Sequence, residues 1–140
     1  MRMLKVYTDG AFDPQTKQAG IGIQVIADKE QTSYKYYIAH AFDNHVIEFM
    51  ALRQALTLLA KQPKETLLIY SDSKVLVDSI EKAYVKSSVY RVHLTEILAE
   101  LEEYPLYFVN WLADGQNRGA DQLARQALRR QGQYEILSDF

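Results

Sequence analysis

Four carboxylates, Asp9, Glu48, Asp72 and Asp121, stand where strand patterns end or helical patterns begin, spread over most of the 140 residues. Asp9 closes the apolar run Leu4-Lys5-Val6-Tyr7-Thr8, and Asp72 closes Leu67-Leu68-Ile69-Tyr70-Ser71. Glu48 and Asp121 fall in the first turns of the two clearest amphipathic helices. Acids gathered at one edge of a sheet repel one another, which is tolerable only if cations or protons offset them. Hard divalent cations take oxygen ligands, and a close pair of them is a common device for in-line attack on a phosphodiester. Glu48 is the most telling member, because it lies beside Phe49 and one turn before Leu52, where an unpaired carboxylate is costly.

Positioning such acids needs both strands and helices. Residues 3 to 9, Gly20 to Ala27 and Thr32 to Phe42 read as three strands of an antiparallel meander, with Asp28-Lys29-Glu30-Gln31 as a hairpin turn. From about Asn44 to Lys61, Phe49, Leu52, Leu56 and Leu59 recur at helical spacing, and Pro63 stops the run. Thr66 to Ser71 is a short continuous apolar strand, which implies a crossover into a parallel pair. Helices over about Ser73 to Tyr84 and Ser88 to Tyr104 follow, then a strand over Pro105 to Leu112 that places Trp111 in the core. Ala120, Leu123, Ala124, Ala127 and Leu128 mark a last helix, and the tail from Gly132 reads as peripheral. The expected class is α/β, a five-stranded mixed sheet of three antiparallel then two parallel strands flanked by helices. With no linker, repeat or low-complexity tract, residues 1–140 read as one domain.

With no cysteine, the chain has neither disulfides nor thiolate zinc sites. His40, His45 and His93 are scattered, without a pair at ligand spacing, and read as surface or half-buried polar residues. No signal peptide or membrane span is visible, so a cytoplasmic monomer is the default expectation. The net charge of -2, from 16 basic and 18 acidic side chains, is not the footprint of bulk polyanion binding. Any polyanion must be gripped locally. Tyr34, Tyr36 and Tyr37 suit strand packing better than base stacking, and Lys74, Lys82 and Lys86 lie at helical spacing as a solvated face or a small phosphate-facing patch.

The order of elements and the stretches Thr8-Asp9-Gly10-Ala11, Ala19-Gly20-Ile21-Gly22, Asn44 with Glu48 and Ala51, Ser71-Asp72-Ser73, and Asn117 with Ala120-Asp121-Gln122-Leu123-Ala124 resemble ribonuclease H type 1. The resemblance runs to about Arg130. Each stretch alone is an ordinary turn or helix cap; the four that carry the acids, in this order and spacing, are specific. The resemblance implies a ribonuclease H-like fold and a quartet of catalytic, metal-binding acids: Asp9, Glu48, Asp72 and Asp121. It further implies two Mg²⁺ ions, for which Mn²⁺ can substitute, and an RNA/DNA hybrid whose RNA strand is cut to leave 5′ phosphates. Gly10, Ala11, Asn44, Ser73 and Lys74 are the implied substrate contacts.

The sequence departs from the family pattern in three places. Asp43 stands where a Thr that helps anchor a DNA phosphate is usual. The loop Ala113-Asp114-Gly115-Gln116 has no histidine, so the role a histidine plays there in many members is vacant or passes to Asp114 as an accessory ligand, and slower turnover is expected. Only Val85-Lys86-Ser87 stands where members that hold hybrids tightly carry a basic insertion, so modest affinity and a shallow salt dependence are expected. These departures keep open an alternative, a catalytically weak or inactive nucleic-acid-binding or interaction module. An exonuclease-like use of the same acids is a third reading.

Overall fold

Burial that alternates at the start of β1 (Met3–Phe12), is nearly continuous along β2 (Ala19–Ala27) and rises toward the end of β3 (Glu30–Ile38) accompanies an antiparallel meander of these three strands. The computed structural model describes residues 3–113 and 115–138. Helix α1 (Asn44–Leu59) then crosses to β4 (Thr66–Ser71), which pairs parallel with β1. Helices α2 (Lys74–Lys82) and α3 (Ser88–Leu101) lead to β5 (Tyr107–Trp111), parallel to β4, and α4 (Arg118–Leu128) follows. The sheet runs β5-β4-β1-β2-β3-β6. Its sixth strand, β6 (Glu135–Ile136), pairs parallel with β3 at Tyr36 and Tyr37. The expected five strands are therefore present with one added, because the tail that read as peripheral covers part of the β3 edge. A two-residue strand carries no periodicity by which sequence could reveal it.

The core lies between the sheet and α1. Leu4, Val6, Ile21, Ile23, Leu67 and Ile69 from the strands meet Ile47, Phe49, Leu52, Leu56 and Leu59 from the helix, all essentially inaccessible to water. The opposite face is held differently. Ala120, Ala124 and Ala127 of α4 are buried, and their small side chains let the helix backbone settle onto Gly20 and Gly22 of β2. A Cβ added at Gly22 would overlap the Ala120 carbonyl oxygen and lie 2.6 Å from the Ala124 amide nitrogen, so only glycine permits this approach. No described helix is long and apolar enough to cross a membrane.

Three expectations need correction. Trp111 is 49% exposed rather than core, because β5 is an edge strand whose neighbour on the outer side is solvent. The third strand stops at Ile38 instead of Phe42. Ala41 there donates its amide to the Lys17 carbonyl across the loop, and Phe42 is exposed. His93 is buried on α3, its ring nitrogen Nδ1 3.3 Å from an Arg53 guanidinium nitrogen.

Candidate active site

Strand register explains how distant acids meet. The parallel pairing of β1 with β4 runs from Met3 opposite Thr66 to Tyr7 opposite Tyr70. Two residues further along each chain segment stand Asp9, inside β1, and Asp72, just past the carboxyl end of β4, the end at which ligand sites of such sheets form. On its other side Asp9 is the register partner of Gly22, the glycine that receives Ala120 of α4. Asp121, the next residue, is thereby delivered to Asp9. Asn117 fixes the start of α4 in the same place, its side-chain amide donating to the Thr8 carbonyl at 2.8 Å. Glu48 arrives from the opposite side, where Gly10 packs so tightly on α1 that an added Cβ would lie 3.1 Å from Ile47 Cβ and 3.5 Å from Glu48 Oε1.

Asp9, Glu48 and Asp72 each present a carboxylate oxygen within 4.8 Å of the others. Asp9 is 4% exposed. Burial, then the charge of Asp72, push its carboxyl from an ordinary 3.8 to about 8, and the charge and a shared hydrogen bond of Asp121 add to the rise. The Gly10 amide, donating to Asp9 Oδ1 at 2.8 Å, works the other way. Glu48 is raised well above the usual carboxylate range by burial first, then by Asp9 and Asp72. Its Oε1 is buried and has no hydrogen-bond partner among the described residues. A buried carboxylate oxygen without a partner, on a residue that shares its surroundings with two other acids, is expensive unless a proton or a cation completes it. The donor set, all hard oxygens with excess negative charge, fits a divalent cation such as Mg²⁺.

Asp121 stands apart from this trio. It reaches Asp9, yet Arg125 one turn along α4 holds it at 3.2 Å. Both partners of that pair are solvent-exposed enough, at 63% for Arg125 and 38% for Asp121, to make the bond weak and readily exchanged. Asp114 lies outside the described residues.

A groove of about 370 Å³ opens beside the acids, lined by Gly10, Asn44, Glu48, Asp72, Ser73 and Lys74 together with Phe12, His45 and Val75. Four of the five expected substrate contacts thus share one surface with two of the acids. Ala11 is half-buried in β1 and falls outside the lining. Sequence reasoning missed His45 as a lining residue, although its place one turn before Glu48 on α1 was the signal that could have found it. Ser73 caps α2, its Oγ accepting from the Leu76 amide at 3.2 Å. Asp43 does the same for α1, accepting from the Val46 amide at 2.8 Å, and its other oxygen accepts the Tyr90 hydroxyl from α3. Tyr90 stacks on Phe49, and this contact with Asp43 helps push its hydroxyl pKa up to about 12, behind burial as the larger cause.

The sequence profile of the family described as RNase H matches residues 1–129. A curated protein of Enterococcus faecalis (strain ATCC 700802 / V583), named "Putative hydrolase EbsB", is 35% identical over 130 residues, which cover 91% of this chain and 96% of that protein. Among solved structures, the RNase H1 of the halophilic archaeon Halobacterium salinarum NRC-1 superposes with a TM-score of 0.83 at 21% identity, over 91% of this chain and 98% of its own. The N-terminal RNase H domain of rv2228c from Mycobacterium tuberculosis gives 0.85 at 22% identity, over 93% and 96%. LC11-RNase H1, solved in complex with an RNA/DNA hybrid, gives 0.77 at 25% identity, over 91% and 97%.

Proposed function

The chain belongs to the RNase H family, and we propose that it is a metal-dependent endoribonuclease that hydrolyses the RNA strand of RNA/DNA hybrids, leaving 5′ phosphates. The observation that carries this reading is the convergence of Asp9, Glu48 and Asp72, with Oε1 of Glu48 buried and without a hydrogen-bond partner among the described residues. The family and the hybrid-bound relative LC11-RNase H1 support the choice of substrate.

In this reading Asp9, Glu48 and Asp72, joined by Asp121 once it leaves Arg125, would hold two Mg²⁺ or Mn²⁺ ions. When bound, such ions supply an activated water and charge neutralisation at the attacked phosphate and leaving oxygen. Without them Asp9 keeps its proton at neutral pH, and burial and the neighbouring acids bias Glu48 in the same direction, so loading the site means releasing protons. Gly10, Asn44 and Ser73 orient the RNA strand, the hydroxyl proton of Ser73 remaining available because its oxygen already accepts from Leu76. Lys74 meets a backbone phosphate from the rim of the groove. The 140 residues would act as one domain, a monomer in the cytoplasm, a reducing compartment with which a chain free of cysteine is compatible.

The Arg125–Asp121 pair favours a second reading, a catalytically weak module on the same fold. One assay separates the two: labelled hybrid, duplex DNA, duplex RNA and single strands incubated in Mg²⁺, Mn²⁺ or chelator, beside an Asp72→Asn control. Internal cuts confined to hybrid RNA, requiring metal and lost in the variant, support the nuclease. Binding without cuts supports the module, and trimming from the ends overturns the endonuclease assignment.

A further inference from the structure

Lys74 is an odd residue for its place. It opens α2, directly after the Ser73 cap, where the partial positive charge of the helix end disfavours a cation. Its Nζ lies over the ring of Trp111, 5.4 Å from the centroid. The indole is itself tied down. Nε1 donates to the Asp72 carbonyl at 3.2 Å, Leu112 donates its amide to the Ser71 carbonyl at 2.8 Å, and Trp111 is the register partner of Ser71. One ring therefore joins the end of β5 to the segment bearing Asp72 just past β4 and also shelves the ammonium of Lys74, a residue that lines the groove.

Packing does not explain this tryptophan. It is the chain's sole tryptophan and sits on an edge strand with half its surface in water, where burial alone does not single out an indole over another large apolar side chain. What its position does achieve is geometric. A lysine side chain has three rotatable donors on a flexible stem, and an aromatic face restricts that freedom without neutralising the charge, as a carboxylate would.

We propose that Trp111 is a positioning residue for the nucleic-acid backbone: its indole holds Lys74 over the groove as a phosphate contact and its N–H fixes the Asp72 strand end beside it. This rests on the nuclease reading above for the identity of the ligand, and its test is separable from that reading.

Hybrid binding is measured in Ca²⁺ as a function of salt, with cleavage in Mg²⁺ run in parallel. Lys74→Met is expected to make the log–log salt slope shallower by about 0.9, the value of one phosphate contact. Trp111→Leu is expected to show the same loss, with no further loss in the double variant. Trp111→Phe, which keeps a ring under the ammonium but lacks the N–H, is expected to retain the slope and KM while kcat falls severalfold. A purely structural tryptophan would alter melting without touching the slope. Where Trp111→Leu fails to fold, the intrinsic emission of Trp111 in the wild type decides: hybrid binding is expected to change it, and the change is expected to vanish in Lys74→Met. Wild-type slope in a folded Trp111→Leu, an unchanged slope in Lys74→Met, or an emission change that survives Lys74→Met overturns the proposal while cleavage of hybrids stands. A wild type that neither binds nor cuts hybrids overturns both.

Discussion

Replacing Asp9 by Asn should stabilise the metal-free protein while abolishing its response to Mg²⁺. In the fold the Asp9 carboxyl is pushed up to about 8, chiefly by burial and by Asp72, against an ordinary 3.8. Between those values the folded state holds a proton that the unfolded chain has lost, so the stability tied to this group is intact below about pH 4 and drains away as pH rises through about 8. Each tenfold step in proton affinity corresponds to about 1.4 kcal/mol, which puts the penalty near 2 kcal/mol at pH 5, about 4 at pH 7 and approaching 6 at pH 9, as upper limits. An amide at the same place accepts from Gly10 as the acid does and donates to a neighbouring carboxylate, without ever taking on charge. At roughly 3–5 °C per kcal/mol for a chain of this length, metal-free Asp9→Asn should melt about 5–15 °C above wild type at pH 7, with the gap widening toward pH 9. Mg²⁺ at 100 times its dissociation constant should raise wild-type stability by about 2.7 kcal/mol and leave the variant unmoved. Thermal melts by circular dichroism at pH 5, 7 and 9, with EDTA or Mg²⁺, read both effects. A variant that melts at or below wild type at all three pH values, or that gains as much from Mg²⁺, refutes the picture of a frustrated acid cluster completed by cations.

The same proton affinities predict that Mg²⁺ binding releases protons and tightens as pH rises from about 6 to 8.5, visible as calorimetric heats that differ between buffers of different ionisation enthalpy. Gly22→Ala should cost 3 kcal/mol or more and cut activity disproportionately, because the new Cβ meets the α4 backbone and pushes Asp121 away from Asp9; denaturant melts and cleavage rates measure the two losses. Arg125→Gln should change stability by less than 1 kcal/mol in the same melts and leave Mg²⁺-dependent cleavage intact or faster, since the exposed Arg125–Asp121 pair contributes little and competes with cations for Asp121; loss of activity in that variant would show that Arg125 does more than hold a carboxylate.

Which features were legible in the sequence follows from the range over which each is specified. Asp72 could be placed at a strand end because the apolar run before it is written in consecutive residues; the run before Asp9 likewise marked its strand, which however continues past it to Phe12, and Glu48 could be placed on a half-buried helix face because Phe49, Leu52 and Leu56 lie within three turns of it. The glycines of Gly20-Ile21-Gly22 and the alanines of α4 were visible as motifs, yet only the register of Gly22 with Asp9 shows that their purpose is to carry Asp121 across the sheet. Features that depend on a partner far along the chain left no local trace. Asp43 read as a replacement for a phosphate-anchoring threonine, whereas its two oxygens are taken by the Val46 amide and by the hydroxyl of Tyr90, 47 residues away. An acid with both oxygens occupied projects less free charge into the groove than a bare one, and its clamp on α3 holds the start of α1, the turn from which Asn44, His45 and Glu48 reach the site. The departure from the family pattern at position 43 is thus compatible with an intact acid cluster. The structural demand it meets, anchoring α1 to α3, is one that a threonine, with a single side-chain oxygen, would meet less fully.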